Sequence, residues 1–208
     1  MNNKLIMIII FVVCSILSAI AFFYWDIPLA HYCKGLKQSV LEIAIIVTML
    51  GESFWYYAIL VPAFIYFRFL IKNKLWSMRI LFLFISLSVS GLFSTLIKWL
   101  VGRYRPVMLL KENLFGFSYF GVGHELTSFP SGHAVTAFSL AAAVSILCPR
   151  AGIPAFIIAI FIGITRVILT SHYLSDVIAG AGIGILLTMI VKYYFDRKNI
   201  ELVLNKKV

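Results

Sequence analysis

Six apolar runs, each near the length a helix needs to cross a bilayer, constrain this chain more than any other feature. They cover about 5–25, 54–71, 80–101, 131–148, 153–170 and 176–195. The hydrocarbon core is roughly 30 Å thick, which a helix crosses in about 20 residues. Within it backbone polar groups must bond inside the segment, so helices are the expected spanning element. Composition agrees: of 208 residues, 62% are hydrophobic and 12% charged, against about half and about a quarter in a soluble domain. An all-α integral membrane protein with six transmembrane helices is predicted, built as a single domain over 1–208. A shorter amphipathic piece, about 38–50, is too short to span and is expected to lie at the interface as one short helix or to re-enter. The first run follows Lys4 and passes Ala19-Ile20-Ala21, which imitates a signal peptide. Its apolar character continues through Trp25, so an uncleaved first span is expected.

Charge then orients the bundle. A net charge of +10 would suggest nucleic acid in a soluble protein. In a membrane protein it reflects basic loops facing anionic lipid, and no nucleic-acid partner is expected. In a six-span layout Lys4, Arg68, Lys72, Lys74, Arg79, Arg150, Lys192, Arg197, Lys198, Lys206 and Lys207 fall on one side. That side is expected to be cytoplasmic, with both termini, in a plasma or bacterial inner membrane. Cys14, Cys33 and Cys148 are an odd number without metal-like spacing, so neither a disulfide framework nor a zinc site is read from them.

Against this apolar background three fragments carry ionisable groups at span ends, where charge is costly and usually functional. The third span closes with Lys98 and Arg105, seven residues apart and so on one helical face if the helix persists past Gly102. Pro106 then marks an exit. Taken alone, these two read equally well as snorkelling cations. The fourth span opens Ser128-Phe129-Pro130-Ser131-Gly132-His133. Its first amides lack intrahelical partners and favour an anion, Gly132 lets a ligand approach, Ser131 adds a hydroxyl, and His133 supplies a proton near neutral pH. At the fifth-to-sixth junction stand Arg166, His172 and Asp176. The last two are four apart, so the carboxylate can hold one imidazole nitrogen and leave the other free to attack. A serpentine bundle puts all three fragments at two loops on the same membrane face, predicted to be the outer, periplasmic or extracellular one. Independent accidents do not align in that way.

These residues resemble the type 2 phosphatidic acid phosphatase superfamily, which also includes bacterial acid phosphatases and vanadium haloperoxidases. Its signature is a Lys followed after six residues by Arg-Pro, then Pro-Ser-Gly-His, then Ser-Arg, five residues, His, three residues, Asp. Here those are Lys98 with Arg105-Pro106, Pro130-Ser131-Gly132-His133, and Thr165-Arg166 with His172 and Asp176. Thr165 replaces Ser and keeps a hydroxyl. The motifs cover 98–176, and the six-span layout matches the membrane branch of the superfamily. The resemblance implies a nucleophilic His172 that forms a phosphohistidine, with Asp176 orienting it and His133 protonating the leaving oxygen. It likewise implies a phosphate-binding set of Lys98, Arg105, Ser131, Gly132 and Arg166, with no cofactor and no metal. The sequence shows no carboxylate cluster for Mg²⁺ and no His/Cys spacing for Zn²⁺.

The expected function is a membrane lipid phosphatase acting on a phosphate monoester or diphosphate. Undecaprenyl diphosphate, phosphatidylglycerophosphate, phosphatidic acid and lipid A are the candidate substrates, each a membrane-embedded phospholipid or isoprenoid phosphate. A lipid-to-lipid phosphotransferase would use the same residues, and a non-enzymatic lipid transporter or scaffold is the remaining alternative. Neighbouring residues carry less. His124 and Glu125 read as a headgroup contact or as a solvated loop; Arg103 and Lys111 as steering charges or loop cations. Phe115, Phe117, Tyr119 and Phe120 read as an interfacial lip or an aromatic belt. Glu52 has no evident partner. Oligomeric state is not legible.

Overall fold

The structure, a computed structural model, describes residues 3–202. Among the described residues nine α-helices run α1 (Asn3–Tyr24), α2 (Asp26–Lys34), α3 (Gln38–Thr48), α4 (Ser53–Ile65), α5 (Lys74–Val101), α6 (Pro106–Glu112), α7 (Gly132–Leu147), α8 (Pro149–Ile168) and α9 (Leu174–Arg197). Among the described residues there is no β-strand, only an isolated bridge between Arg103 and Phe117. Five stretches of the described residues are long and apolar enough to cross a membrane: Lys4–Tyr24, Gln38–Leu70, Lys74–Val101, Pro149–Ile168 and Leu174–Arg197. The sixth apolar helix, α7, is shorter. The chain is a multi-pass membrane protein whose helices match the predicted runs.

Four local differences from the sequence reading bear on the site. The 38–50 segment is helical, and it continues through a single 3₁₀ turn (Met49–Gly51) into α4. Its Val47 packs on the Ala159 and Ile162 cluster of α8. Pro106 does not leave a helix but opens one, at the N-terminal position of α6 where its missing N–H is harmless. A further helix, α2, follows the first span directly and was not evident in the sequence. The third span also starts six residues before the predicted 80, because Asn73 caps α5 by accepting from the Trp76 amide at 3.1 Å.

α7 is the centre of the bundle, with α5, α8 and α9 packed around it. Lipid is as apolar as leucine, so transmembrane helices associate through close packing of small residues and interhelical hydrogen bonds. α7 is built for this: Ala134, Ala137, Ala141, Ala142 and Ala143 are all buried. Gly180 and Gly184 of α9 lie directly on its backbone. A Cβ at Gly180 would come 2.8 Å from the Ser131 carbonyl oxygen, and one at Gly184 would come 2.6 Å from that of Val135. Below this contact the Ser139 and Thr188 hydroxyls bond across the two helices at 2.9 Å. Large apolar side chains point away from this centre: Ile8, Phe11 and Ile16 of α1 and Ile153, Ile157 and Phe161 of α8 are exposed.

The close approach also sets the site, because it brings the start of α9 under the start of α7; the Ser131 amide donates to the Asp176 carbonyl at 3.0 Å. Gly184→Ala should lower the stability of the purified protein in detergent by about 1–3 kcal/mol, as overpacking against fixed backbone does. Gly91→Ala, with nothing within 4 Å of the added methyl, should not. Thermal unfolding of the two variants checks this.

Candidate active site

The cationic fragment is assembled by a loop. α5 ends at Val101, and Gly102 takes the left-handed conformation (φ 54°, ψ 54°) that glycine adopts without a side-chain clash. Lys98 and Arg105 therefore do not share a helical face; the chain turns back and brings them together. The Lys98 ammonium donates to the Thr127 carbonyl at 2.8 Å. Arg105 donates from Nε to the His124 carbonyl at 2.6 Å and from one terminal nitrogen to the Ser171 carbonyl at 2.9 Å. His124 and Glu125 expose their side chains, so it is the main chain of this loop that meets the cations. The positive field of Arg105, with burial and Lys98 adding to it, pushes the His124 imidazole below its ordinary range.

At the α7 N-terminus Ser131 is the capping residue, yet its hydroxyl makes no cap bond. That oxygen is buried with no hydrogen-bond partner among the described residues, which leaves it available to a ligand. A Cβ at Gly132 would meet nothing nearer than the Lys98 side chain at 4.0 Å. The glycine thus keeps space open between the helix start and a cation, where an anion fits. His133 packs edgewise on Gly51, where a Cβ would come within 2.7 Å of the ring. Arg166 projects from the end of α8 and donates to the Thr48 hydroxyl at 2.8 Å. Thr165 donates its hydroxyl to the Ile162 carbonyl at 2.6 Å, so the one departure from the family signature serves the helix itself.

His172 and Asp176 meet across a helix start. His172 precedes α9, while Asp176 lies in its first turn and accepts from the Tyr173 amide at 2.9 Å. The shortest contact of His172 Nδ1 is the Ser128 carbonyl, at 2.8 Å, and Asp176 Oδ2 lies 3.7 Å away. Nδ1 carries the proton toward that carbonyl, and Nε2 is left unprotonated. Asp176 Oδ2 also accepts from the Ser128 hydroxyl at 2.6 Å. Its other oxygen is held by Arg103 at 2.5 Å. Arg103, which the sequence reading left as a steering charge or a loop cation, is 1% exposed. Its second terminal nitrogen donates to Asp26 at 2.7 Å. Asp26 in turn accepts from the Ser175 amide at 3.0 Å. The guanidinium is boxed by the rings of Phe22, Phe115, Phe117 and Tyr173, the nearest 4.4 Å away.

All eight residues singled out from the sequence converge here. Lys98, Arg105 and Arg166 act electrostatically on one another and on His133, and Lys98 and Arg105 act on His172. Lys98, Gly132 and His133 line a cavity of about 380 Å³. Glu52, Ser94, Thr95 and Thr136 also line it, and the Glu52 carboxylate acts on Arg166. Among the described residues no three His, Cys, Asp or Glu side chains group as metal ligands. The aromatic lip divides: Phe115 and Phe117 turn inward over Arg103, while Tyr119 and Phe120 are exposed. Arg103, Asp26 and Ser128 were missed. An acid and an arginine at the ends of apolar runs were the available signal for the first two, and nothing local marks Ser128.

A family model of the PAP2 superfamily matches residues 79–200. The chain belongs to the PAP2 superfamily. Two similar proteins are lipid A 1-phosphatases. That of Rhizobium johnstonii is 37% identical over 116 residues, covering 56% of this chain and 48% of the relative. That of Rhizobium etli is 40% identical over 103 residues, covering 50% and 44%. The chain thus matches less than half the length of these curated relatives. Among solved structures, a transmembrane PAP2-type phosphatidylglycerolphosphate phosphatase from Bacillus subtilis superposes with a TM-score of 0.68 at 23% identity, covering 92% of this chain and 96% of that one. Aquifex aeolicus LpxE gives 0.63 at 21% identity, covering 81% and 95%. At these identities the two structures establish a shared fold.

Burial holds the His172 imidazole down at about 3; Asp176 opposes this, and Lys98 and Arg105 reinforce it. The folded protein therefore binds fewer protons than the unfolded chain between that value and the ordinary histidine value of about 6.5. Stability from the neutral ring is present above about 6.5 and lost as the pH falls toward 3. Between about pH 6.5 and about 4.5 the wild type should lose thermal stability more steeply than His172→Gln. Equal slopes would show that the fold does not hold this ring neutral.

Proposed function

We propose that the protein is a membrane lipid phosphatase that cleaves a phosphate ester or diphosphate through a phosphohistidine. The observation that carries this reading is the electrostatic convergence of His172, His133 and three cations, on elements far apart in sequence, beside a cavity that Lys98, Gly132 and His133 line. In the proposed sequence Lys98, Arg105 and Arg166, with the Ser131 hydroxyl and the first amides of α7, bind the phosphoryl oxygens. Nε2 of His172 attacks phosphorus while Asp176 stabilises the developing charge on the ring. The bond to the leaving oxygen breaks, and His133, on the wall of the cavity, delivers a proton to that oxygen. His133 then takes a proton from water as it attacks the phosphohistidine; the P–N bond breaks and phosphate leaves. The cations are worth most as charge redistributes in the transition state.

The substrate is a membrane-embedded phospholipid or isoprenoid phosphate, since the cavity opens between spanning helices. Lipid A carrying a 1-phosphate is the first candidate by similarity to the relatives; phosphatidylglycerophosphate, phosphatidic acid and undecaprenyl diphosphate are the others. The site faces the periplasmic or extracellular side and both termini the cytoplasm, a reading supported by the eleven basic residues that a six-span layout of the sequence assigns to the opposite side.

His172→Ala should abolish phosphate release from a panel of these lipids with the protein still folded, and His133→Ala should slow it by on the order of 10²–10⁴. Vanadate should inhibit and EDTA should not. Wild-type turnover by His172→Ala would refute the nucleophile. For sidedness, exposed Cys148 at the α7–α8 junction should resist a membrane-impermeant maleimide in intact cells and react in inverted vesicles; the reverse pattern would invert the topology.

A further inference from the structure

Beneath His172 and Asp176 lies a second layer of charge that the proposed chemistry does not use. Arg103 sits between two carboxylates, Asp26 at 2.7 Å and Asp176 at 2.5 Å, and donates to the Ser175 hydroxyl at 2.6 Å. All four side chains are buried. Asp26 is far from the signature in sequence, at the first residue of α2, and it grips the start of α9 through the Ser175 amide and hydroxyl. The same end of α9 is tied to α1 by the Ser18 hydroxyl, which donates to the Ser175 carbonyl at 2.9 Å.

We infer that Arg103, braced by Asp26, is a positioning residue that sets the Asp176 carboxylate and through it the His172 ring. This rests on the reading of His172 as nucleophile and Asp176 as its partner. The geometry gives three reasons. Arg103 occupies Oδ1 of Asp176, so that oxygen is unavailable to the imidazole and Oδ2 is the one turned to Nδ1. The planar guanidinium fixes the orientation of the carboxylate, which a rotatable ammonium cannot do. Asp26 holds the opposite edge of the same fork, so Arg103 is not free to draw Asp176 away from the ring. Four aromatic rings close the remaining sides and leave the guanidinium no other place. No phosphate oxygen needs to touch Arg103. Its work is done at second hand.

Two variants separate positioning from bulk stability. Arg103→Lys keeps a cation and loses the fork. Asp26→Asn keeps the size and turns an amide toward Arg103. With phosphatidic acid in detergent micelles, each should lower kcat roughly 10-fold or more while KM stays within about twofold, as when the partner that orients a working imidazole is lost. Repeated on an Asp176→Asn background, neither change should lower kcat further, because the group through which they act is already gone. A merely structural role predicts the same fractional loss on both backgrounds, and that result would overturn the inference. So would wild-type kcat in both variants. If Arg103→Lys fails to fold, as judged by thermal unfolding, Asp26→Asn decides alone. A readout independent of turnover is the His172 Nδ1–H resonance in ¹⁵N-histidine-labelled protein. It should shift in Asp26→Asn, and an unmoved signal also overturns the assignment. Absence of phosphate release by the wild type would instead refute the phosphatase reading, with the resonance still deciding the role of Arg103.

Discussion

Asp176 is the point on which the rest of the site depends, and Asp176 is where it is because Arg103 holds it. A carboxylate at 0% exposure between two transmembrane helices is tolerable only if its charge is met. Arg103 meets it, the Ser128 hydroxyl and the Tyr173 amide take the other oxygen, and Asp26 balances the arginine. Removing one partner of such a buried pair typically costs about 3–5 kcal/mol, because the other is left uncompensated. The array thus locks the start of α2, the segment after α5, the segment before α7 and the start of α9 to one another. Each of these carries or supports a residue of the candidate active site.

The upper layer of cations behaves differently. Among the described residues no carboxylate lies close enough to Lys98 or Arg105 for an ion pair. Both direct donors to carbonyl oxygens of residues 124, 127 and 171, and Arg166 directs one to Thr48. Neutral acceptors take these donors without cancelling their charge, and Arg166 Nε is left without a partner among the described residues. Three positive groups therefore act on one another near an unpartnered serine hydroxyl, and one of them, Lys98, lines a cavity with the open space at Gly132. Such an arrangement is costly when empty and is relieved by a multiply charged anion. The lower layer is charge-compensated by direct ion pairs and fixes geometry; the upper layer feels Asp176 and Glu52 only without a direct ion pair and suits a phosphate.

Much of this was legible before folding. The apolar runs marked the helices because hydropathy is a property of consecutive residues. The eight candidate residues could be picked out because their spacing inside each fragment matches the family signature. Even so, two local inferences came out differently. Lys98 and Arg105 meet because Gly102 reverses the chain, not because seven residues make two turns. His172 stands before its helix rather than on it, with the Ser128 carbonyl closer to Nδ1 than Asp176 is.

The sequence by itself determined the membrane-spanning helices, the three fragments that carry the candidate chemistry and the family to which they belong. Each of these is written in neighbouring residues. Only the tertiary structure decided which charges compensate one another. Asp26, Arg103 and Asp176 lie 77 and 73 residues apart, and no periodicity links them. They meet because Gly180 and Gly184 let α9 settle on α7, which leaves the start of α9 within reach of α1 and of the loop beyond α5. In a low-dielectric interior, that proximity separates a costly isolated charge from one that holds a histidine in place.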